Sequence, residues 1–198
     1  MALTPKTPAA IERALVSDKN SLIKQSFNWL VGRMYTLKSN TTIPGAINPS
    51  NYINNRLFGV GDVFLYHYDP KTKQKLPYYD KFPLTVIIQQ YSDGFLGLNL
   101  HYLPYDIRIG FMNKLIKLGS TPLGDTKTRM QISYDLLKDS KRYAAYKPCV
   151  KRYLISYVRG RMMRITPMEW PLCIYVPIAS FSKKPETYVW AESRRMIR

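Results

Sequence analysis

Residues 61–103 read GDVFLYHYDPKTKQKLPYYDKFPLTVIIQQYSDGFLGLNLHYL, and their pattern decides the fold class. Val63, Leu65 and His67 alternate with Phe64, Tyr66 and Tyr68, so a strand here carries bulky or β-forming side chains on both faces. Residues 83–91 (PLTVIIQQY) read as a second strand. In residues 94–102, Phe95, Gly97, Asn99 and His101 alternate with Leu96, Leu98 and Leu100 as a third. Ser92, Asp93 and Gly94 form the short hairpin connection between the last two, with Gly94 expected at a positive-φ position. Together these make a three-stranded antiparallel meander. The link between its first two strands, residues 69–82, carries Lys71, Lys73, Lys75 and Lys81 beside Tyr78 and Tyr79. A basic, aromatic loop therefore projects from a small sheet.

Upstream, Thr7 caps and Pro8 opens a short helix over 8–16. Asp18 or Asn20 starts a longer one, in which Ile23, Phe27, Leu30, Val31 and Met34 make one apolar stripe that needs a packing partner. Residues 38–58, rich in Asn, Ser, Thr, Pro and Gly, read as a long loop or linker. Downstream, Pro104 opens a helix with Ile107, Phe111, Leu115 and Leu118 on one face and Gly119 as its C-cap. A turn over 120–126 leads to a helix over 128–143. A further helix is expected over 148–158, with Val150, Leu154, Tyr157 and Val158 on one side, ended by Gly160.

The tail returns to β character. Residues 161–165 suit a strand, Thr166 and Glu169 have the spacing of a capping box, and residues 172–176 (LCIYV) suit a buried strand. Two late strands would complete the meander, so the expected fold is α+β. It is a small SH3-like antiparallel β-barrel of about five strands with inserted helices, by analogy of layout alone. The expected organisation is an N-terminal helical arm and linker over 1–58, a barrel core over 59–180 with a helical insertion at about 104–159, and a basic C-terminal arm over 181–198. Tyr188, Val189 and Trp190 offer that arm an anchor.

The chain has 198 residues and 45% hydrophobic content, enough for one compact domain with a real core. Its 30 Lys and Arg against 13 acidic residues give a formal charge of +17. Self-repulsion of that size suits a polyanionic partner, nucleic acid first and an acidic protein assembly second. Residues 140–198 hold 13 basic and 3 acidic residues, so +10 of the +17 lies in the last third. Cys149 and Cys173 lack CxxC spacing, and His67 and His101 are the only histidines, too few for a Cys/His zinc site. A disulfide framework is not expected in a chain of this size, and no cofactor is implied. No run approaches the ~18 apolar residues of a membrane span, and residues 1–18 lack a signal-peptide core, so no membrane partner is expected. A reducing cytoplasm, or a particle assembled there, is the expected setting.

An enzyme needs a nucleophile with its base, paired carboxylates or metal ligands. Asp62, Asp69 and Asp80 offer a set of carboxylates for a Mg²⁺ nuclease. Asp62 follows Gly61 at a strand entry, and Asp69-Pro70 is a turn signal, so the structural role is preferred. The expectation is no catalytic residue and no metal. The preceding FGVG lacks the Lys-Ser ending of a phosphate loop.

Tyr66, Tyr68, Tyr78 and Tyr79 interleave with Lys71, Lys73, Lys75 and Lys81, a combination that grips phosphates while offering ring faces to exposed bases. The alternative is that residues 76–79 fold back as a lid, with the lysines merely solvated. Lys147, Lys151, Arg152, Arg159, Arg161 and Arg164 fall within 18 residues, more than helix capping needs, and Arg194 and Arg195 continue the same sign. No recognition helix or zinc finger points to base-sequence specificity.

The strings YDPKTKQKLPYYDKFPL (68–84), DGFLGLNLHYLP (93–104), ISYDLL (132–137), KPCVKRYL (147–154) and ESRRMIR (192–198) resemble the DNA end protector proteins of large contractile-tailed bacteriophages. The resemblance covers about residues 61–198, with a weaker echo in 27–37. It implies a late head-completion protein of the virion that binds the ends of packaged linear double-stranded DNA and shields them from a host exonuclease after injection. Implied partners are DNA ends and other phage head or neck proteins, with the host exonuclease excluded. Implied locations are the virion and the host cytoplasm. The competing reading is a purely structural neck, tail or baseplate subunit that docks on acidic protein surfaces.

Overall fold

A computed structural model describes residues 21, 24–26, 28–32, 46–47, 59, 61–111, 146–166, 169–173 and 181–197. The helices expected over 8–16 and 128–143, the segment 112–126, and Ile23, Phe27 and Met34 lie outside the described residues, as do residues 174–176 of the last expected strand.

The strands in chain order are β1 (Ala46–Ile47), β2 (Val63–Tyr68), β3 (Tyr79–Asp80), β4 (Leu84–Tyr91), β5 (Gly94–Asn99), β6 (Val150–Leu154), β7 (Val158–Ile165) and β8 (Phe181–Ser182). The expected meander is present: β2 pairs antiparallel with β4, and β4 pairs antiparallel with β5. The order across the main sheet is β1-β7-β2-β4-β5-β6. Strand β1 falls within the expected linker 38–58 and pairs with Met162 and Met163. A second, two-stranded sheet joins β3 to β8. The described part of the chain is therefore α+β and antiparallel, and among the described residues no ladder joins β6 to β7 or β1.

Both faces of the sheet are buried, as the bulky alternation in β2 requires. On one face, Phe64, Tyr66, Tyr68, Ile87, Phe95, Tyr153, Val158 and Met162 form an aromatic core, with Tyr66 edge-on to Tyr68, Phe95 and Tyr153. On the other, Val63, Leu65, Val86, Leu98, Met163 and Ile165 pack with Leu30, Phe111, Tyr146 and Val189. Each such side chain, fully buried, contributes roughly 1.5–3 kcal/mol. This face of the sheet is thus the packing partner of Leu30, the buried member of the N-terminal apolar stripe among the described residues. Pro104 starts the helical residues 105–111, in which the Arg108 N–H donates to the Pro104 carbonyl and Phe111 is buried.

The helix expected over 148–158 is not formed. Pro148 sits in a 3-10 turn (Lys147–Cys149), β6 comes next, and a second 3-10 turn (Ile155–Tyr157) leads into β7. The expected helical insertion therefore ends before Lys147. Strand geometry wins because Tyr153 opposite Phe95 enters the aromatic core, while Val150 opposite Leu98 joins the other face. Gly160 (φ 76°) ends no helix. Between the pairs Leu65–Met163 and His67–Arg159, β7 holds two more residues than β2, so Gly160 and Arg161 form a bulge.

Two glycines have specific work. Gly61 (φ 91°) turns the chain sharply into β2. Gly94 does not have positive φ; a Cβ there would lie 2.0 Å from the Tyr153 carbonyl oxygen, so the close approach of β5 to β6 requires glycine. Strand β5 stops at Asn99, whose side chain accepts from the His101 N–H and caps a 3-10 turn over Leu100–Tyr102.

Thr166 and Glu169 make half of the expected capping box, the Glu169 carboxylate accepting from the Thr166 N–H at 3.0 Å. The chain then makes the single-turn helix α1 (Trp170–Cys173), so Leu172 and Cys173 are helical rather than in the expected strand. The C-terminal segment is helix α2 (Glu186–Ile197) and not an exposed arm. Its face with Val189 and Ser193 is buried, and the Trp190 indole donates to the His101 carbonyl at 3.1 Å. The expected anchor is therefore real. Cys149 is buried, its thiol aimed at the Tyr146 carbonyl and pushed up by burial.

Candidate nucleic-acid interface

The loop between β2 and β4 is pinned at both ends. The Tyr68 N–H donates to the Lys81 carbonyl at 2.9 Å, and Asp80 lies buried beneath the loop. The Asp80 carboxylate accepts from the Phe82 N–H (3.0 Å), the Asn99 amide (3.0 Å) and His101 Nδ1 (2.6 Å). Tyr78 packs among Tyr102, Phe181 and Tyr188, with burial pushing its phenol up, and Tyr79 is in β3. Tyr66 and Tyr68 belong to the aromatic core. Tyr78 is thus folded back onto the protein, as in the lid alternative for residues 76–79, while Tyr66 and Tyr68 are core residues of β2.

The lysines are a different matter. Residues 71–75 form an exposed turn, and the Lys183 ammonium caps it by donating to the carbonyls of Lys73 (2.8 Å), Gln74 (3.1 Å) and Leu76 (2.8 Å). Lys73 donates to Asp69 at 2.8 Å, and Arg159 approaches the other oxygen of the same carboxylate at 3.5 Å. The Lys73 hydrogen bond, with help from Arg159, holds the Asp69 carboxyl below its usual range. Arg159 faces His67 across one side of β2, while Lys81 lies beside Tyr68 on the other. Two strand spacings separate them, about 10 Å. Lys71, Lys75 and Lys81 are exposed and have no carboxylate within 4.0 Å among the described residues. So the loop lysines and the start of the arginine-rich strand share one end of the sheet, where Lys73 and Arg159 share the Asp69 carboxylate.

Other expected contacts are engaged elsewhere. Arg164 pairs with the buried Asp62, which also accepts from the Gly59 N–H at 2.8 Å. Lys151 lies largely buried with its ammonium 4.4 Å from the centre of the Tyr102 ring, and burial lowers its pKa. Arg152 pairs with Asp93, donates to the carbonyls of Phe95 (3.3 Å) and Tyr153 (2.8 Å), and stacks 4.2 Å from the centre of Tyr91. Arg194 forms a two-pronged pair with Asp106 (2.6 and 3.1 Å), which lowers the carboxyl's pKa, and Arg195 approaches Glu192. Lys147 is exposed on the turn against which α2 packs. Arg161 is half-buried in the β7 bulge.

No group of three or more His, Cys, Asp or Glu able to hold a metal occurs among the described residues, and no helix among them is long and apolar enough to cross a membrane. Sequence reasoning missed Lys183, Tyr91 and the organising part played by Asp69. Only Tyr91 carried a local signal, an aromatic ring at a strand end beside a hairpin.

The fold and this surface define a basic α+β protein with a lysine-rich rim at one end of its sheet. The family model described as "Phage T4 terminal DNA protecting protein" matches residues 47–195, and the chain belongs to that family. Neither the curated proteins nor the solved structures gave a match.

Proposed function

We propose that this protein binds the ends of linear double-stranded DNA through phosphate charge and shields them from exonuclease, catalysing nothing itself. The observation that carries this reading is the meeting of Lys71, Lys73, Lys75, Lys81 and Arg159 at one end of the sheet, in a chain of a DNA-protecting family. Such a rim attracts backbone phosphate whatever the base sequence. Asp62, Asp69 and Asp80 each hold a structural contact, which favours binding over hydrolysis. Family membership supports a phage virion protein of head completion, with head or neck proteins as neighbours and a host exonuclease as the excluded party. Its settings are then the virion and the host cytoplasm. An SH3-like barrel is favoured by the strand order, in which β6 and β7, separated in the chain only by Ile155–Tyr157, flank the run β7-β2-β4-β5-β6.

The test is digestion of linear duplex by a processive exonuclease with increasing protein. Protection at a few molecules per end is expected, and it should shift to much higher protein in a Lys71→Ala, Lys75→Ala, Lys81→Ala variant. A purely structural subunit gives no protection at any ratio, and that result would overturn the proposal.

A further inference from the structure

A phosphate-binding rim explains attraction to DNA but does not distinguish an end from the middle of a duplex. What an end alone offers is the uncovered face of its last base pair. Tyr91 closes β4 at the hairpin tip, 39% exposed, the largest exposed ring outside α2 among the described residues. The Arg152 guanidinium lies against it and is itself held by Asp93 and two carbonyls, so the ring and the guanidinium form a fixed stack. Arg152 and Asp93 also cancel in charge, so this tip has no net attraction for phosphate. It offers planar surface instead, which suits a base.

The tip is tied to the lysine rim. The Ile155 N–H donates to the Asp93 carbonyl at 3.0 Å, and the Asp69 N–H donates to the Tyr157 carbonyl at 3.0 Å. One 3-10 turn, Ile155–Tyr157, thus bridges the hairpin to the start of the lysine turn, a span of roughly 10 Å. We infer that Tyr91, positioned by Arg152, stacks on the exposed terminal base pair of a DNA end while the Lys71–Lys75 turn and Arg159 hold the adjoining phosphates. The inference rests on the end-binding reading above, and makes Tyr91 the residue that selects ends.

The experiment compares binding of the full chain to three duplexes of equal length and sequence: blunt and open at both ends, closed at both ends by hairpin loops, and a covalently closed circle. The wild type should prefer open ends. Tyr91→Ala should lose about tenfold on open ends and nothing on the other two, the size expected of one lost base stack. Tyr91→Trp should keep the preference. Because Tyr91 is exposed, an unchanged circular dichroism spectrum checks that Tyr91→Ala still folds. An unchanged end preference in Tyr91→Ala overturns the stacking inference and leaves the end-binding reading standing. Equal binding of all three duplexes by the wild type overturns that reading, and the inference with it.

Discussion

Replacing Asp80 by alanine removes the acceptor that fixes the lysine loop to the sheet. Asp80 is 3% exposed and His101 is fully buried, so water does not readily replace the lost contacts. Three donors lose an acceptor: the Phe82 N–H, the Asn99 amide and His101 Nδ1. Asn99 keeps its bond to the Tyr153 hydroxyl at 3.0 Å. At about 1–3 kcal/mol for each of the three buried donors, the loss is about 3–9 kcal/mol, a large share of the ~5–15 kcal/mol that holds a domain folded. Asp80→Asn should cost about half as much, since it keeps the shape and one acceptor but turns its amide nitrogen either toward both Asn99 and His101 or toward the Phe82 N–H. Urea denaturation at neutral pH, read by the shift in midpoint at constant slope, measures both. Hydrogen exchange at the Phe82 amide should rise well before global unfolding. A loss below about 1 kcal/mol in Asp80→Ala would refute the claim that this carboxylate locks the loop.

Other expectations concern charge, packing and pH. Binding through about five phosphates should give a log–log salt slope near −4.5 on linear duplex, and each lysine of the rim changed to alanine should reduce its size by about 1. Asp69→Asn frees Lys73 and Arg159 from their shared carboxylate and should strengthen DNA binding at low salt; weaker binding would show that Asp69 serves another purpose. Gly94→Ala forces a Cβ against the Tyr153 carbonyl and should destabilise by about 1–3 kcal/mol or more by thermal melting. Burial raises the phenol pKa of Tyr66, Tyr102 and Tyr153 above the unfolded value near 10. Their contribution to stability is complete below about pH 10 and is lost as the pH climbs beyond it, because only the unfolded chain then ionises. Phenolate absorbance of these three should therefore appear together with unfolding, not before it.

Much of the sheet was legible because β2 and β5 alternate in a chain buried on both faces, and because Ser92-Asp93-Gly94 separates two such runs. The misreading of residues 148–158 has a physical origin. Val150, Leu154, Tyr157 and Val158 fall at helical spacing, but two 3-10 turns interrupt the chain, so this spacing spans a strand, a turn and the next strand. The β-branched Val150, Ile155 and Val158 were the countersignal. In the tail, Glu186, Val189, Ser193 and Ile197 have a helix's spacing, obscured by the surrounding arginines. For the surface, sequence located the cations and not their partners. Arg152 with Asp93, Arg164 with Asp62 and Arg194 with Asp106 are pairs 59 to 102 residues apart, and only folding brings them together. The same holds for Lys183, which caps a turn more than a hundred residues earlier.

Whether the lysine rim serves DNA ends is tested most directly by competition between linear duplex and a covalently closed circle of the same sequence. The linear form should displace the circle from the protein, and the preference should persist as salt is raised while both affinities fall. Equal competition by circle and linear duplex at every salt concentration would contradict end binding by the rim.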